Sequence, residues 1–403
     1  MRGIGWFTGV GILVSIAGIA GSACAAEQAA TPVPGWFKLD TSLAKDWEAV
    51  EVRGDTGSIL LRRRGEAGGD AKRHILSLQS RASSAYDVAL SEAASVLEQK
   101  LAPLDILVVN YNDNLGRAQT AVTQAEKSGF DLILATGSDA TEWLWKNYHG
   151  GSLPVVSMCA KDPVTLGQVK SYNAGTGSNF ALTSLNLPID VQLAYALEVM
   201  PGLRNLAIIV DSANQSAIET QAVPAANAAR AHGIRVLTLM AHGNGTSNSN
   251  SKGADQKLTD LVNEAVETMQ VNDANLVRSM FLITGSTAVF EQMASINAHA
   301  ARVPVISMVP ETVQSGASSA VLSIGVSFRS NAFLAASYAA SILDGRERPG
   351  DLKVGVVTPP DIGINFRRAR EIGLKVPFSF FESANVIYNN DDIKVRPNDV
   401  SSK

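Results

Sequence analysis

Apolar residues in most of this chain fall in short unbroken runs, and amphipathic stretches of helical spacing separate them. From His74 onward HILSLQS, DILVVN (105–110), FDLILATG (130–137) and LPVVSMCA (153–160) read as strands. Unbroken apolar runs are what parallel strands covered on both faces require. Between them SAYDVALSEAASVLEQK, GRAQTAVTQAEKSG and TEWLWKNYHG read as helices. Trp143, Leu144 and Tyr148 supply a core stripe in the last of these, and Trp145 is read as core too. The succession βαβαβαβ implies a parallel sheet with right-handed crossovers.

The pattern pauses over 162–188 and then starts again. Pro188 opens the helix PIDVQLAYALEVMPG. LRNLAIIVD, IRVLTLMA, SMFLITGS and VPVISMV read as strands, with NQSAIETQAVPAANAARAHG, QKLTDLVNEAVETMQ and TAVFEQMASINAHAA as helices. Pro224 should kink the first of those helices or mark a turn in it. The polar stretch 242–255, HGNGTSNSNSKGAD, reads as an exposed loop. The same half therefore occurs twice, which predicts an α/β protein of two doubly wound parallel-sheet lobes. A last alternation follows: AVLSIGVS, the helix NAFLAASYAASILDG, the strand DLKVGVVT and the helix INFRRAREIGL.

Length and charge narrow the function. At 403 residues the chain has room for one large or two medium α/β domains, and a net charge of −4 gives no reason to expect nucleic acid or an anionic membrane surface. The two cysteines, Cys24 and Cys159, make no disulfide framework, and the five histidines show no HxxxH or HxH spacing, so neither a metal nor a cofactor is expected. GTGSN (175–179) does not complete a dinucleotide fingerprint, and there is no GxSxG elbow and no P-loop, which disfavours an α/β enzyme.

The N-terminus speaks to the compartment. Arg2, the apolar run Ile4–Ala20 and Ala23-Cys24-Ala25 read as a secretory signal peptide, which predicts a periplasmic protein. A membrane anchor is the alternative, though the run is Gly-rich and barely long enough to span. Cys24 raises lipid anchoring as another, but Gly21 stands where a lipobox usually has Leu. Residues 26–72 read as an extension, either a small β appendage or a mobile arm, with short strands at 49–52 and 58–62.

Pieces of the chain, in order, resemble a known family: FDLILATGSDATEWL, PVVSMCAKDPVTLG, Ser178-Asn179, PGLRNLAIIVDSANQSA, NAFLAASYAASILDGRERPGDLKVGVVTPP, and the ending carried by Asn365, Ala369, Gly373 and Pro377. They are similar to the ABC transporter substrate-binding proteins of the tryptophan/tyrosine type, which have a type I periplasmic-binding-protein fold. The resemblance runs over about 74–388. It implies one lobe from 73–185 and 322–348 and a second from 186–321 and 349–388, which leaves the signal peptide read over 1–25, an extension over 26–72 without a family counterpart, and a tail over 389–403. The hinge would lie near Ser184–Leu187, Gly325–Phe328 and Pro349–Leu352. The partners implied are a small-molecule ligand and an ABC permease with its ATPase; a sensor kinase is the alternative.

Ligands of open α/β sheets lie outside the carboxyl ends of the strands. The candidate ligand-binding residues are therefore those of the strand-end loops: Arg81, Ser83, Ser84, Gly137, Ser138, Asp139 and Asp162 in one lobe, and Asp211, Asn214, Ser286, Thr287 and Glu311 in the other. Backbone N–H groups at Ser138 suit an anion, and Asp162 or Glu311 suits an ammonium. Asp162 reads equally well as an Asp-Pro turn, and Asn214 and Ser216 as helix caps. Family members commonly carry an Asp where this chain has Thr284-Gly285-Ser286-Thr287, which puts amino-acid specificity in doubt.

Overall fold

The computed structural model describes residues 35–65, 72–101, 103–241 and 257–396. By internal contacts the chain divides into Met1–Thr31 and Pro32–Lys403, and every described residue belongs to the second unit. The signal-peptide and Cys24 expectations, the loop 242–255 and the end of the tail (397–403) lie outside the described residues.

Two sheets make up the core. The first contains β1 (Trp47–Val52), β2 (Asp55–Arg63), β3 (Arg73–Gln79), β4 (Leu104–Asn110), β5 (Leu132–Thr136), β6 (Val155–Met158) and β7 (Phe180–Ala181), in the order β1-β2-β4-β3-β5-β6-β7. From β4 to β7 all pairings are parallel. Every residue of β5 and β6 is buried, which accounts for their unbroken apolar runs. A short strand β8 (Thr183–Ser184) then leads out of this half.

The second sheet repeats the order. β9 (Asn205–Asp211), β10 (Arg235–Ala241), β11 (Ser279–Ile283), β12 (Val305–Ser307) and β13 (Leu322–Gly325) lie as β10-β9-β11-β12-β13, all parallel. After β14 (Gly355–Val356), the strands β15 (Asp361–Asn365), β16 (Val386–Tyr388) and β17 (Lys394–Arg396) extend the far edge. β15 runs antiparallel to β13. In both sheets the winding reverses between the first and third strands of the repeat, at β3/β5 and at β9/β11, where a doubly wound sheet opens its ligand crevice.

Three passages of chain join the halves. The first leaves β8 for the helix Ile189–Val199. The second leaves β13 for the helix Phe328–Leu343, which packs on the helix Ser84–Leu101 of the first half. Ala89, Ala93 and Ala94 and, on the facing helix, Ala332, Ala335, Ala336, Ala339 and Ala340 are fully buried, and small side chains let the two helices approach closely. The third passage lies further along than the resemblance implied. Pro349–Asp351 packs on the first half, where the Gly177 N–H donates to the Gly350 carbonyl at 2.9 Å, and β14 pairs with β8. The chain crosses only after Val356, over 357–360, to reach β15.

The N-terminal segment is part of the first half. β2 pairs antiparallel with β4, Trp47 is 1% exposed and its Nε1 donates to Glu98 Oε2 at 2.7 Å. Arg329 at the start of the helix Phe328–Leu343 joins it too, through ion pairs with Asp40 and Glu92. The sequence reading missed this because β1 and β2 are only half-buried, so their pattern differs from that of the central strands.

Three more elements depart from expectation. The stretch 287–301 forms Thr287–Phe290 and Met293–His299 rather than one helix. Residues 361–365, partly read as helix, form β15, and part of the expected tail forms β17. Upstream of Pro224 the helix widens to a π turn over Ile218–Ala222, as expected where proline removes a donor from the ladder.

Candidate functional site

The strand-end loops of the two sheets face each other and touch. In the first half the loop after β3 carries Ser80 and Arg81, both of which bond the Asp139 carboxylate; the Ser80 hydroxyl donates at 3.1 Å. Asp139 stands in the first turn of the helix Ser138–Asn147, which Gly137 caps without a side-chain hydrogen bond. Gly137 has φ +92°, and a Cβ there would overlap the Tyr86 hydroxyl, so this turn requires glycine. The Ser83 carbonyl accepts the Tyr86 and Asp87 N–H groups at 3.0 and 3.1 Å, starting the helix Ser84–Leu101, and Ser84 is exposed.

The loop after β6 turns sharply. Cys159 has φ +57°, and its N–H donates to Asn331 Oδ1 at 2.7 Å. It is a free, buried cysteine, and burial pushes its thiol pKa up, so it stays protonated. Next the Lys161 N–H donates to Ser138 Oγ at 3.1 Å, joining two of the loops. Asp162 turns into its own loop: Oδ1 accepts the Val164 N–H at 2.9 Å, and Oδ2 accepts the Thr165 and Tyr172 hydroxyls at 2.8 and 2.6 Å.

In the second half Asp211 ends β9. Its Oδ1 accepts the Ala213 N–H and its Oδ2 the Ser286 hydroxyl, both at 3.0 Å. Asn214 caps the next helix, accepting the Ala217 N–H at 3.0 Å, and its Nδ2 donates to the Gly285 carbonyl at 3.3 Å. The Gly285 N–H donates to Gln221 Oε1 at 2.7 Å. Thr287 opens the short helix Thr287–Phe290, and its side chain lies outside the described residues.

Lys161 closes the gap between the sheets. Its Nζ reaches the Gly285 carbonyl at 3.4 Å, and the residue is 6% exposed. Burial pulls its pKa down to about 8. Glu311 stands at the second crossing, where Oε1 accepts the Phe328 N–H at 2.7 Å at the start of the helix Phe328–Leu343. One side of Glu311 is open to solvent, yet the protein packed around it pushes its pKa up to about 7. Beside the crossing a cavity of about 10 Å³, the size of one water, is lined by Asn186, Gln192, Gln221 and Met308 among others; Asn186 Oδ1 and Gln192 Nε2 have no hydrogen-bond partner.

Of the predicted residues, the structure groups Arg81 with Asp139, Ser138 with the Lys161 loop, and Asp211 with Ser286; Asn214 meets Lys161 at Gly285. Asp162 is held in its turn and Glu311 at a crossing. Sequence reasoning overlooked Lys161, Gln221, Tyr86 and Asn331. A lone lysine between a buried strand and an Asp-Pro turn was the one signal available for Lys161.

The family model described as ABC transporter substrate binding protein matches residues 96–387, well over half of the chain. The chain belongs to this family. Solved structures agree in fold. One from Streptococcus pneumonia, an ABC domain in complex with L-Trp, has 17% identity and a TM-score of 0.54, covering 78% of this chain and 99% of the other. A substrate-binding protein with adhesive properties from Clostridium difficile, in a ligand-free open form, has 18% identity and a TM-score of 0.58, covering 78% and 98%. A conserved domain protein from Vibrio cholerae has 18% identity and a TM-score of 0.56, covering 79% and 100%. No match was found among curated proteins. This substrate-binding protein thus has the two-lobe fold in which strand-end loops confront one another, and the contact between Lys161 and Gly285 lies where those loops meet. No helix among the described residues is long and apolar enough to cross a membrane.

Proposed function

We propose that this substrate-binding protein is exported, captures a small polar solute between its lobes and delivers it to an ABC permease with its ATPase. The observation that carries the reading is the meeting of the two switch-point loop sets across three chain passages, with Lys161 bridging them. Three connections can bend together without breaking either sheet, so the lobes open and close as units about 185–188, 326–327 and 357–360. A ligand held by one lobe gains contacts from the other on closure, and closure changes the outer surface that a permease reads.

The L-Trp bound in the Streptococcus structure does not carry over to this chain as its ligand. Around Gly285 a buried cation faces a glycine, an arrangement that offers an amino acid's ammonium no partner. The reading is tested by thermal shift across solute classes, followed by solution scattering. A bound solute at a hundredfold excess over its dissociation constant stabilises by about 2.7 kcal/mol. A solute that raises the melting temperature without compacting the open form would refute hinge closure. Turnover of that solute would refute the binding-protein reading itself.

A further inference from the structure

The charged groups of the facing loops do not balance. Each acid already has partners. Asp139 is paired with Arg81 and bonded by Ser80. Asp162 accepts three hydrogen bonds within its own loop, and Asp211 holds the Ala213 N–H and the Ser286 hydroxyl. Glu311 takes the Phe328 N–H. Lys161 differs: among the described residues its ammonium has no ionic partner, and its contact with the Gly285 carbonyl, at 3.4 Å, is long for a charge-assisted bond. The nearby Cys159 thiol, kept protonated by burial, offers no counter-charge.

A buried ammonium without a counter-ion is costly. The cost is retained here in a definite geometry. The backbone of Lys161 is fixed to Ser138, at the first turn of a ten-residue helix whose dipole adds positive potential at the same place. A Cβ at Gly285 would collide with Lys161 Nζ, so the absence of a side chain at 285 is what gives the ammonium its room. Asn214 Nδ2 points to the same carbonyl oxygen, at 3.3 Å, and the Gln221 amide lies alongside. Donors from both lobes thus converge on one acceptor, the Gly285 oxygen.

We propose that Lys161 is the ligand-recognition residue of the cleft and that the solute is a small organic carboxylate, whose oxygens replace the Gly285 carbonyl as partners of Lys161 and Asn214. The inference rests on the binding-protein reading above. A zwitterionic amino acid fits less well, because Asp139, Asp162 and Asp211 are already bonded and Glu311 is held at the second crossing by the Phe328 N–H; a neutral sugar leaves Lys161 without a counter-charge.

The test uses the purified protein and its Lys161→Met variant, which keeps the apolar length and removes the charge. Thermal shift and calorimetry compare succinate, benzoate and 2-oxobutyrate with succinamide and benzamide, with L-tryptophan and L-leucine, and with ribose and glucose. The ligand-free K161M protein should melt no lower than the wild type, which shows that it folds. A carboxylate should stabilise the wild type while its amide does not, and K161M should lose about 30-fold or more in affinity. Equal carboxylate affinity in K161M, or no stabilisation by any carboxylate, overturns the inference. Stabilisation confined to the amino acids or sugars overturns it too, but leaves the binding-protein reading standing. Silence in every arm counts against both.

Discussion

Replacing Asn331 should expose how the first lobe holds its strand ends. Asn331 is fully buried near the start of the helix Phe328–Leu343. Its Oδ1 accepts the Cys159 N–H at 2.7 Å and the Thr183 hydroxyl at 3.3 Å, and its Nδ2 donates to the Ser184 carbonyl at 3.1 Å. One side chain thereby ties the turn after β6 to the first crossing strand, β8. Asn331→Ala leaves a buried N–H and a buried carbonyl without this partner, at about 1–3 kcal/mol each. Allowing for a small cavity, the expected loss is about 3–5 kcal/mol. Asn331→Asp keeps the acceptor for Cys159 but loses the donor to Ser184 and adds a buried charge, so it should be worse at pH 7 than at pH 4. Chemical denaturation gives both values, and hydrogen exchange at the Cys159 amide reports the bond directly, with protection lost in N331A. If N331A costs less than about 1 kcal/mol and Cys159 keeps its protection, the amide is not what fixes this turn.

Other outcomes follow from single sites. Trp47→Ala should destabilise by about 3–5 kcal/mol, since Trp47 is 1% exposed and bonds Glu98; a loss within about 0.5 kcal/mol would show that the N-terminal strands are not integral to the first lobe. Asp87, raised by burial from 3.8 to about 6, has one carboxylate oxygen without a partner. Because the folded state binds this proton more tightly, wild-type stability relative to Asp87→Asn should be undiminished below pH 3.8, fall as pH rises through 6, and stay lower above it. The difference at pH 7 should be on the order of 2 kcal/mol, and denaturation midpoints of the two proteins across the acid and neutral range check it. Lys161 has the opposite sign: its pKa is lowered from 10.5 to about 8, so its cost is full below pH 8 and is relieved as pH rises towards 10.5. K161M should therefore lack the alkaline gain seen in the wild type on thermal melts. Gly285→Asp places a carboxylate against Lys161 Nζ and should raise the lysine's pKa and the melting temperature while removing any stabilisation by carboxylates.

How much of this was legible in sequence depends on the range of the interaction. β5, β6 and β9 were read directly, because a strand buried on both faces must be apolar throughout, and that constraint is local. The duplicated βα pattern likewise narrowed the strand order of each half, since right-handed crossovers leave few alternatives. The helix Phe328–Leu343 was visible as a helix, but its alanine face did not by itself say where it would pack; its return to the first lobe was implied only by the family resemblance. β1, β2 and β15 were misread or undervalued because the two outer strands of the first sheet are only half-buried, or because Asn365 both ends a strand and caps the helix Phe366–Ile372.

The strand-end loops were equally legible as places, while the roles of their residues were not. Asp162 and Asp139 are the same residue type in the same kind of loop, yet one is bonded within its turn and the other across to Arg81. The sequence by itself determined the α/β class, the two halves and the loops that could face a ligand, because periodicity and turn chemistry act between near neighbours. Only the tertiary structure decided which charges meet. Lys161 and Gly285 are 124 positions apart, and whether a lysine is neutralised, buried or left facing an open carbonyl depends on how two separately wound sheets are brought together.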